Sequence, residues 1–342
     1  MSTKDFTANV ISATKVVPDG NFKDSKASGV WDITEQFDLV KGSNWPSQSN
    51  GNAPFGFFFG GEAADQLLSI DRFDLSSSGN ATDFGDLDVK RFQHGALGSN
   101  TRGVIAGGYD GAFATNRMTY ITFGSAGSGA DFGDLTVGRR GGPQSVTNAT
   151  RGVWICGRPA SGNTSNVMDY ITIATEGNAT DFGDANVARG FMQNGGASNG
   201  TRGVTGGGED GSSPTTNSIE YITIASTGNG TDFGNMTEAK DDLTICSNDT
   251  RGIFFGGASA SNTIEYITIA STGNGTDFGN LTAATQNTMS AASPIIAICG
   301  NVNGTVTVDQ ITIASTGNAT DFGDQLSVRD GSAGASNAHG GL

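Results

Sequence analysis

The tripeptide Asp-Phe-Gly occurs six times in this chain of 342 residues, and its spacing constrains the fold more than any other feature. Successive copies lie 44 to 51 residues apart, and the flanking sequence aligns without gaps. The copies begin at Asp83, Asp131, Asp181, Asp232, Asp277 and Asp321. Eight residues after each Asp stands a mostly basic position, occupied by Arg91, Arg139, Arg189, Lys240, Thr285 and Arg329. A self-similar period of this length indicates a chain built from repeated structural units.

Each repeat predicts four short β-strands. The first runs from the basic position into Ser-Asn-x-Thr, the second is an apolar run after Arg-Gly, and the fourth carries Asp-Phe-Gly. The third alternates apolar and polar residues, as in Glu265 to Ile269, so its two faces differ. The phrase Ser-Thr-Gly-Asn before the fourth strand predicts a hairpin turn. Four strands per unit are typical of a propeller blade, so we predict an all-β, six-bladed β-propeller over residues 49–342.

The two ends of the repeat region predict how the propeller closes. The first unit has an apolar second strand, Phe55 to Gly61, but no basic residue and first strand before it. The last unit is followed by a surplus segment, Arg329 to Leu342, that contains Ser336-Asn337. We expect this C-terminal segment to supply the missing strand of the first blade, which removes two exposed sheet edges. We also expect Ile267, Ile269 and Phe278 to be buried between blades.

Composition and charge exclude several classes of protein. The net charge of −15 argues against nucleic-acid binding, which requires clustered basic residues. No apolar run approaches the roughly 20 residues of a membrane helix, so we expect no membrane insertion. The N-terminus lacks the apolar core of a signal peptide. The three widely spaced cysteines, Cys156, Cys246 and Cys299, predict buried reduced thiols in a soluble protein from a reducing compartment.

The sequence contains no recognisable catalytic constellation. Its two histidines, His94 and His339, are far apart and are interpreted as turn residues. Asp-Phe-Gly also occurs in the magnesium site of kinases, but the kinase His-Arg-Asp loop is missing and six copies indicate a repeat element. We therefore expect no enzymatic activity, no catalytic residue, no metal site and no cofactor. Acidic pairs such as Asp83 and Asp86 leave two interpretations open, a turn cap or a weak calcium site.

One copy of the repeat carries the residues of a known motif in order. Arg189, Gly206-Gly207, Glu220-Tyr221 and Lys240 resemble the kelch repeat, which implies a kelch-like propeller with a protein-binding face. The fourth strand departs from that pattern, because kelch repeats usually have Trp where this chain has Phe. The residues at this position are Phe84, Phe132, Phe182, Phe233, Phe278 and Phe322.

Residues 1–48 lie outside the repeat and form a predicted N-terminal arm. The segment from Gly29 to Gln36, followed by Trp45-Pro46, resembles a segment of tailed-phage virion proteins. The phrase Tyr-Ile-Thr-Ile-Ala-Ser-Thr-Gly-Asn-x-Thr-Asp-Phe-Gly resembles structural proteins of tailed marine phages of the cyanophage type. Trp31 and Trp45 are the candidate virion-docking residues. The other interpretation is that these two residues anchor the arm on its own propeller.

These resemblances imply a non-enzymatic structural protein located in the virion. Its arm docks on other virion proteins, and its propeller is displayed outward, in multiple copies, as a tail, fibre or capsid-decoration module. A host surface receptor is a candidate second partner. The alternative is an intracellular kelch-type adaptor that binds a protein partner across one propeller face. Such adaptors usually bring a folded oligomerisation domain, for which a 48-residue arm is short.

Overall fold

A computed structural model describes residues 54–211, 215–257, 261–300 and 305–338. All regular structure within these ranges is β-strand, arranged as six small antiparallel sheets of four or five strands and one separate two-stranded sheet. The protein is therefore an all-β, six-bladed β-propeller, as predicted. The arm at residues 1–48, its Trp31 and Trp45, and the boundary between arm and propeller lie outside the described ranges.

The strands follow the repeat along the chain. Blades 1 and 2 contain β1 (Phe55–Phe59), β2 (Ser69–Asp74) and β3 (Thr82–Asp86), then β4 (Gly95–Gly98), β5 (Arg102–Ala106), β6 (Arg117–Thr122) and β7 (Ala130–Asp134). Blade 3 contains β9 (Gln144–Thr147), β10 (Arg151–Ile155), β12 (Ser165–Thr172) and β13 (Thr180–Gly190), while β8 (Arg139–Arg140) and β11 (Arg158–Pro159) pair separately. Blade 4 contains β14 (Ala197–Ser198), β15 (Arg202–Gly206), β17 (Ser218–Thr223) and β18 (Thr231–Asn235), and β16 (Glu209–Asp210) extends blade 3. Blades 5 and 6 contain β19 (Thr244–Ser247), β20 (Arg251–Phe255), β21 (Ser261–Thr268) and β22 (Thr276–Thr285), then β23 (Met289–Ala292), β24 (Ile296–Gly300), β25 (Thr307–Thr312) and β26 (Thr320–Asp324). The last strand, β27 (Ala333–Ser336), returns to blade 1.

The C-terminal strand closes the ring. Strand β27 pairs antiparallel with β1, with Gly56 opposite Ser336 and Phe59 opposite Ala333. Beyond the strand, the Asn337 side chain accepts a hydrogen bond from the Phe55 amide at 2.7 Å. In blade 3, Asn148 accepts the same bond from the Arg151 amide at 2.7 Å within a continuous turn. The junction between the two ends of the propeller therefore reproduces the turn of an unbroken blade, which confirms the predicted closure.

Six clusters of apolar side chains fill the six junctions between neighbouring blades. Ile267 and Ile269 are buried between blades 4 and 5, and Phe278 is buried between blades 5 and 6. Each of these side chains is at most 2% exposed. The predicted face assignment is confirmed, because the alternating third strand places successive side chains on opposite sides of its sheet.

Each Asp-Phe-Gly docks on the turn of the next blade. At the junction of blades 4 and 5, Gly234 has a φ of +147°, and a Cβ at this position would lie 2.4 Å from the Gly273 carbonyl oxygen. The Gly273 amide donates to the Phe233 carbonyl at 2.9 Å, and the Asn274 side chain accepts from the Asn235 amide at 3.0 Å. The Asp-Phe-Gly of one blade and the Ser-Thr-Gly-Asn of the next thus form one contact. It recurs where the ring closes, where the Asp324 amide donates to Asn80 at 3.1 Å.

Buried ion pairs join neighbouring blades at equivalent positions of the repeat. Arg329 contacts Asp71 at 2.5 Å, and Arg139 pairs with Asp169 with both side chains fully buried. Equivalent pairs link Arg189 with Glu220 and Lys240 with Glu265. Each acid stands twelve residues before an Asp-Phe-Gly. Asp71 also accepts a hydrogen bond from the Leu326 amide at 2.8 Å, so the pair connects blade 6 to blade 1.

At two junctions, another residue replaces one member of the buried ion pair. At the junction of blades 1 and 2, Thr119 occupies the position of the acid, and Arg91 instead contacts Asp88 at 3.1 Å. At the junction of blades 5 and 6, Thr285 replaces the basic residue. There Asp309 accepts hydrogen bonds from the Thr282 amide at 2.8 Å and hydroxyl at 2.7 Å. Every buried carboxylate of this set therefore has hydrogen-bond donors.

Three details of the sequence interpretation were wrong. The basic residue does not begin the first strand, since Arg91 lies in a connection before β4, where its guanidinium reaches the third strand. Asp83 and Asp86 lie within β3 rather than in a turn, because the turn precedes this strand. His94 is a buried residue, and burial lowers its pKa to about 3. His339 lies outside the described ranges.

The ion pairs predict the effect of removing one partner. Arg139→Met leaves Asp169 buried without its cation, so we expect the free energy of unfolding to fall by about 3–5 kcal/mol. The double variant Arg139→Met/Asp169→Leu removes both charges and should regain most of that loss. Urea unfolding followed by tryptophan fluorescence measures both values. A loss below about 1 kcal/mol for the single variant would contradict the role of the pair.

Candidate functional site

The inner strands of the blades leave little space between them. Their cavity measures about 30 Å³ and is lined by small residues such as Ala96, Ser145 and Gly334. Such a cavity has room for about two water molecules. The fully buried Asn194 lies at one end of these inner strands. Its side chain accepts a hydrogen bond from the Ala96 amide and donates one to the Gly334 carbonyl, both at 2.8 Å. Its backbone carbonyl accepts a hydrogen bond from the Thr244 hydroxyl at 2.9 Å.

Six residues with left-handed backbone surround this end of the axis. Their φ values lie between +51° and +60°. We call them the axial ring: Gln93, Gly142, Gln193, Asp242, Asn287 and Gly331. Their backbones are joined around the axis, since the Gln93 amide donates to Gly331 at 2.6 Å, the Gly142 amide to Gln93 at 3.1 Å and the Asn287 amide to Asp242 at 3.0 Å. Left-handed backbone at residues other than glycine is uncommon and concentrates at functional sites.

Polar side chains bridge three members of the axial ring. The Gln193 amide nitrogen donates to Asp242 Oδ1 at 3.1 Å and to Asn287 Oδ1 at 2.7 Å. The Asn287 amide nitrogen in turn donates to Asp330 Oδ2 at 3.4 Å. Gln193 is only 1% exposed, and its Oε1 atom accepts no hydrogen bond. The network therefore contains one buried acceptor that its own donors leave unsatisfied.

This part of the propeller is acidic. Burial raises the pKa of Asp242 to about 7, and the charges of Asp241, Asp330 and Glu209 raise it further, while the Gln193 hydrogen bond opposes the shift. Burial also raises the pKa values of Asp241 and Asp330. The nearby Lys240 points away, because its ammonium group contacts Glu265 between the blades. The charges of Asp241, Asp330 and Glu209 therefore help to hold the pKa of Asp242 up, and Lys240 does not offset them.

Aromatic and basic side chains also lie at this end of the propeller. Phe92 packs edge-on against Tyr109 with 5.6 Å between ring centroids, and the Arg140 guanidinium lies 4.8 Å from the Tyr109 ring. Arg158 lies 4.3 Å from the ring of Phe191. Phe113, on the loop between β5 and β6, is 71% exposed. We call this end of the propeller, with the axial ring at its centre, the mouth face.

The mouth face differs from the sites that the sequence indicated. Trp31 and Trp45 lie outside the described residues, and the acidic pairs such as Asp83 and Asp86 lie on the outer strands. Within the described ranges, no group of three or more His, Cys, Asp or Glu residues is placed to hold a metal ion. The axial ring was not predicted from the sequence, although a signal was present. Asn287, for example, follows the basic position by two residues and belongs to a residue type that tolerates left-handed backbone.

The three cysteines are buried and unpaired, as predicted. Burial raises the pKa of Cys156 to about 11 and that of Cys246 to about 12, which keeps both thiols protonated. These cysteines therefore act as small apolar core residues.

The part of the chain that the structure describes contains no helix long and apolar enough to cross a membrane.

Comparison with known proteins assigns no family, since no protein-family model matches the chain and no curated protein matches it. The six-bladed propeller follows from the structure itself.

The raised pKa of Asp242 predicts a pH-dependent effect of its replacement. The folded protein holds the Asp242 proton up to about pH 7, whereas the unfolded chain releases it near pH 3.8. The charged carboxylate therefore opposes folding increasingly as pH rises between these values. Asp242→Asn removes this penalty, so we expect its stability advantage over the wild type to grow by about 2–3 kcal/mol between about pH 5 and about pH 8. Urea unfolding at the two pH values measures the difference, and an advantage independent of pH would contradict the assignment.

Proposed function

We propose that this protein is a non-enzymatic structural component of a bacteriophage particle. Its N-terminal arm docks on other virion proteins through Trp31 and Trp45, and its propeller is displayed outward in multiple copies. Support comes from the arm segment around Gly29 to Gln36 and from the repeat phrase, both of which resemble phage structural proteins.

The two described ends of the propeller lie close together. The inner strand β27 begins two residues after Gly331 of the axial ring and ends at Ser336, next to Asn337. Asn337 is hydrogen-bonded to Phe55, so both ends of the propeller lie at one turn of blade 1, at the far end of this strand from the mouth face. In this proposal the mouth face, at the other end of the strand, is the surface that contacts the host.

The inner strands leave little space along the propeller axis. The cavity there measures about 30 Å³, whereas a substrate pocket usually measures roughly 300 Å³ or more. The strongly buried basic side chains, such as Arg139 and Arg329, are used in contacts between blades. Charged groups engaged in this way stabilise the ring and are shielded from solvent.

The alternative function is that of an intracellular adaptor of kelch type. The observation that favours it is the exposed aromatic side chain of Phe113, beside Tyr109 and Phe92 on the mouth face. Aromatic and arginine side chains are enriched where proteins bind one another. In this case the partner is a cellular protein and the arm has no docking function.

Particle composition tests the two alternatives. We expect mass spectrometry of purified particles to detect the full chain in several copies per particle. A Trp31→Ala/Trp45→Ala variant, supplied in place of the wild type, should fold normally but be lost from the particles. Circular dichroism checks the fold of the variant, and Val137→Ala, which truncates an exposed side chain on the propeller, serves as the control that keeps incorporation.

Two outcomes would contradict the proposal. Particles that lack the protein, while it accumulates in complexes inside infected cells, would favour the adaptor. Normal incorporation of the double tryptophan variant would show that Trp31 and Trp45 do not dock the arm on the particle.

A further inference from the structure

His94 is a buried imidazole at the junction of blades 1 and 2. It stands between Gln93 of the axial ring and the first residue of β4, and it is 1% exposed. Within the described part of the chain, neither its Nδ1 nor its Nε2 atom has a hydrogen-bond partner. A buried polar group without a partner costs free energy, and an imidazolium, with a positive charge and two N–H donors, costs more. The geometry of this position therefore favours the neutral imidazole.

Backbone from both blades encloses the His94 ring. A Cβ added to Gly60, just after β1, would lie 3.3 Å from His94 Cε1, and one added to Gly108, after β5, would lie 2.9 Å from His94 Cβ. The Phe59 backbone carbonyl is within reach of the imidazole and favours its protonated form. That oxygen already accepts a hydrogen bond from the Ser332 hydroxyl at 2.8 Å. Phe59 therefore offers little support to a protonated ring.

The charged groups that act on His94 are two cations. Arg91 lies in the same connection between blades, and Arg329 lies in the connection that leads from blade 6 to β27. Each guanidinium contacts its own carboxylate, Asp88 at 3.1 Å and Asp71 at 2.5 Å. Burial and, to a smaller extent, these two cations lower the pKa of His94 from its ordinary value of 6.5 to about 3.

The other five blades have an uncharged residue at the position that follows the axial ring. These residues are Pro143, Asn194, Leu243, Thr288 and Ser332. An ionisable side chain is therefore not required to build this part of a blade. His94 is the only histidine within the described ranges, and histidine is the side chain whose ordinary pKa lies between pH 5 and pH 8.

We propose that His94 is an acid-sensitive switch at the junction of blades 1 and 2. When the imidazole takes up a proton in mildly acidic solution, it leaves its buried position and releases the connection formed by residues 91–94. This connection belongs to the axial ring, because the Gln93 amide donates to Gly331 at 2.6 Å and the Gly142 amide donates to Gln93 at 3.1 Å. Its release therefore opens the mouth face between blades 1 and 2. The switch is independent of the location of the protein in a virion.

The direction of the pH effect follows from the two states of the imidazole. In the closed ring His94 stays unprotonated down to about pH 3, whereas the released side chain takes up a proton below about pH 6.5. Between these values acid favours the open state, since only that state binds the proton. At pH 5 the equilibrium constant for opening should be roughly 30-fold larger than at pH 8.

Urea unfolding of the full chain at pH 8 and pH 5 tests the switch. The matched variant is His94→Leu, which gives blade 2 the residue that blade 5 has at Leu243. Over this pH range, we expect the unfolding equilibrium constant of the wild type to rise roughly 30-fold relative to that of the variant. Both proteins keep Asp242, so its own titration cancels in the comparison. The same pH dependence in both proteins would overturn the proposal.

Hydrogen exchange shows where the ring opens. The amides of Phe92 and Gln93 donate to Tyr109 and Gly331 in the closed ring, so they should lose protection at pH 5 in the wild type but not in His94→Leu. The amides of β17 in blade 4 serve as the internal control, after correction for the intrinsic exchange rate at each pH. An equal loss of protection in β17 would show that acid acts on the whole fold rather than on this junction.

Proton NMR keeps the proposal testable if His94→Leu does not fold. The chain has two histidines, so His339→Gln leaves His94 as the only source of an imidazole signal. In the folded protein this signal should keep a constant chemical shift between pH 8 and pH 5. A titration of the folded protein near pH 6.5 would show that His94 accepts a proton in place, and the switch would be wrong.

Discussion

The contact between two backbones at each blade junction is the constraint on which the rest of this propeller depends. The glycine of Asp-Phe-Gly, as at Gly234, lies so close to the turn glycine of the next blade, Gly273, that a side chain has no room. The asparagine that follows the turn, Asn274, then fixes the register of the two blades through one hydrogen bond. The apolar clusters and buried ion pairs occur at a constant sequence distance from this contact. The contact therefore determines which residues meet at each junction.

The mouth face is organised differently, because its residues are not repeated. The connection into blade 4, which contributes Gln193 and Asn194, is two residues longer than that into blade 2. Both are measured from the basic position to the inner-strand residue that pairs with Val204 or Val104. This extra length carries Asn194 onto the axis, where a single side chain contacts several blades. The axial ring keeps the same backbone conformation in all six blades, while its side chains vary. A symmetric scaffold thus supports an asymmetric, acidic centre.

Much of the fold could be predicted from the sequence, because strand alternation, turn residues and repeat length are local signals. Closure of the ring by Ala333–Ser336 could also be predicted, since the first repeat lacks one strand in the sequence. The buried partners of the basic residues could not be read from a single copy, because each acid lies in a different strand from its cation. The pairing pattern is harder still to recognise at the junction of blades 1 and 2, because Thr119 replaces the acid there and Asp88 pairs with the basic residue instead. The position of Asn194 on the axis depends on all six blades at once, so no local pattern in the sequence predicts it.

The most direct test of this account compares two glycines from one blade junction. A Cβ at Gly234 would lie 2.4 Å from the Gly273 carbonyl oxygen, whereas a Cβ at Gly273 would meet no atom within 4 Å. Thermal and urea unfolding of Gly234→Ala and Gly273→Ala therefore compare a glycine that the contact and its φ of +147° both require with a turn glycine that has open space. The account predicts a loss of about 2 kcal/mol or more for Gly234→Ala and a change within about 0.5 kcal/mol for Gly273→Ala. Equal effects of the two substitutions would show that the blades are not held in place by this contact.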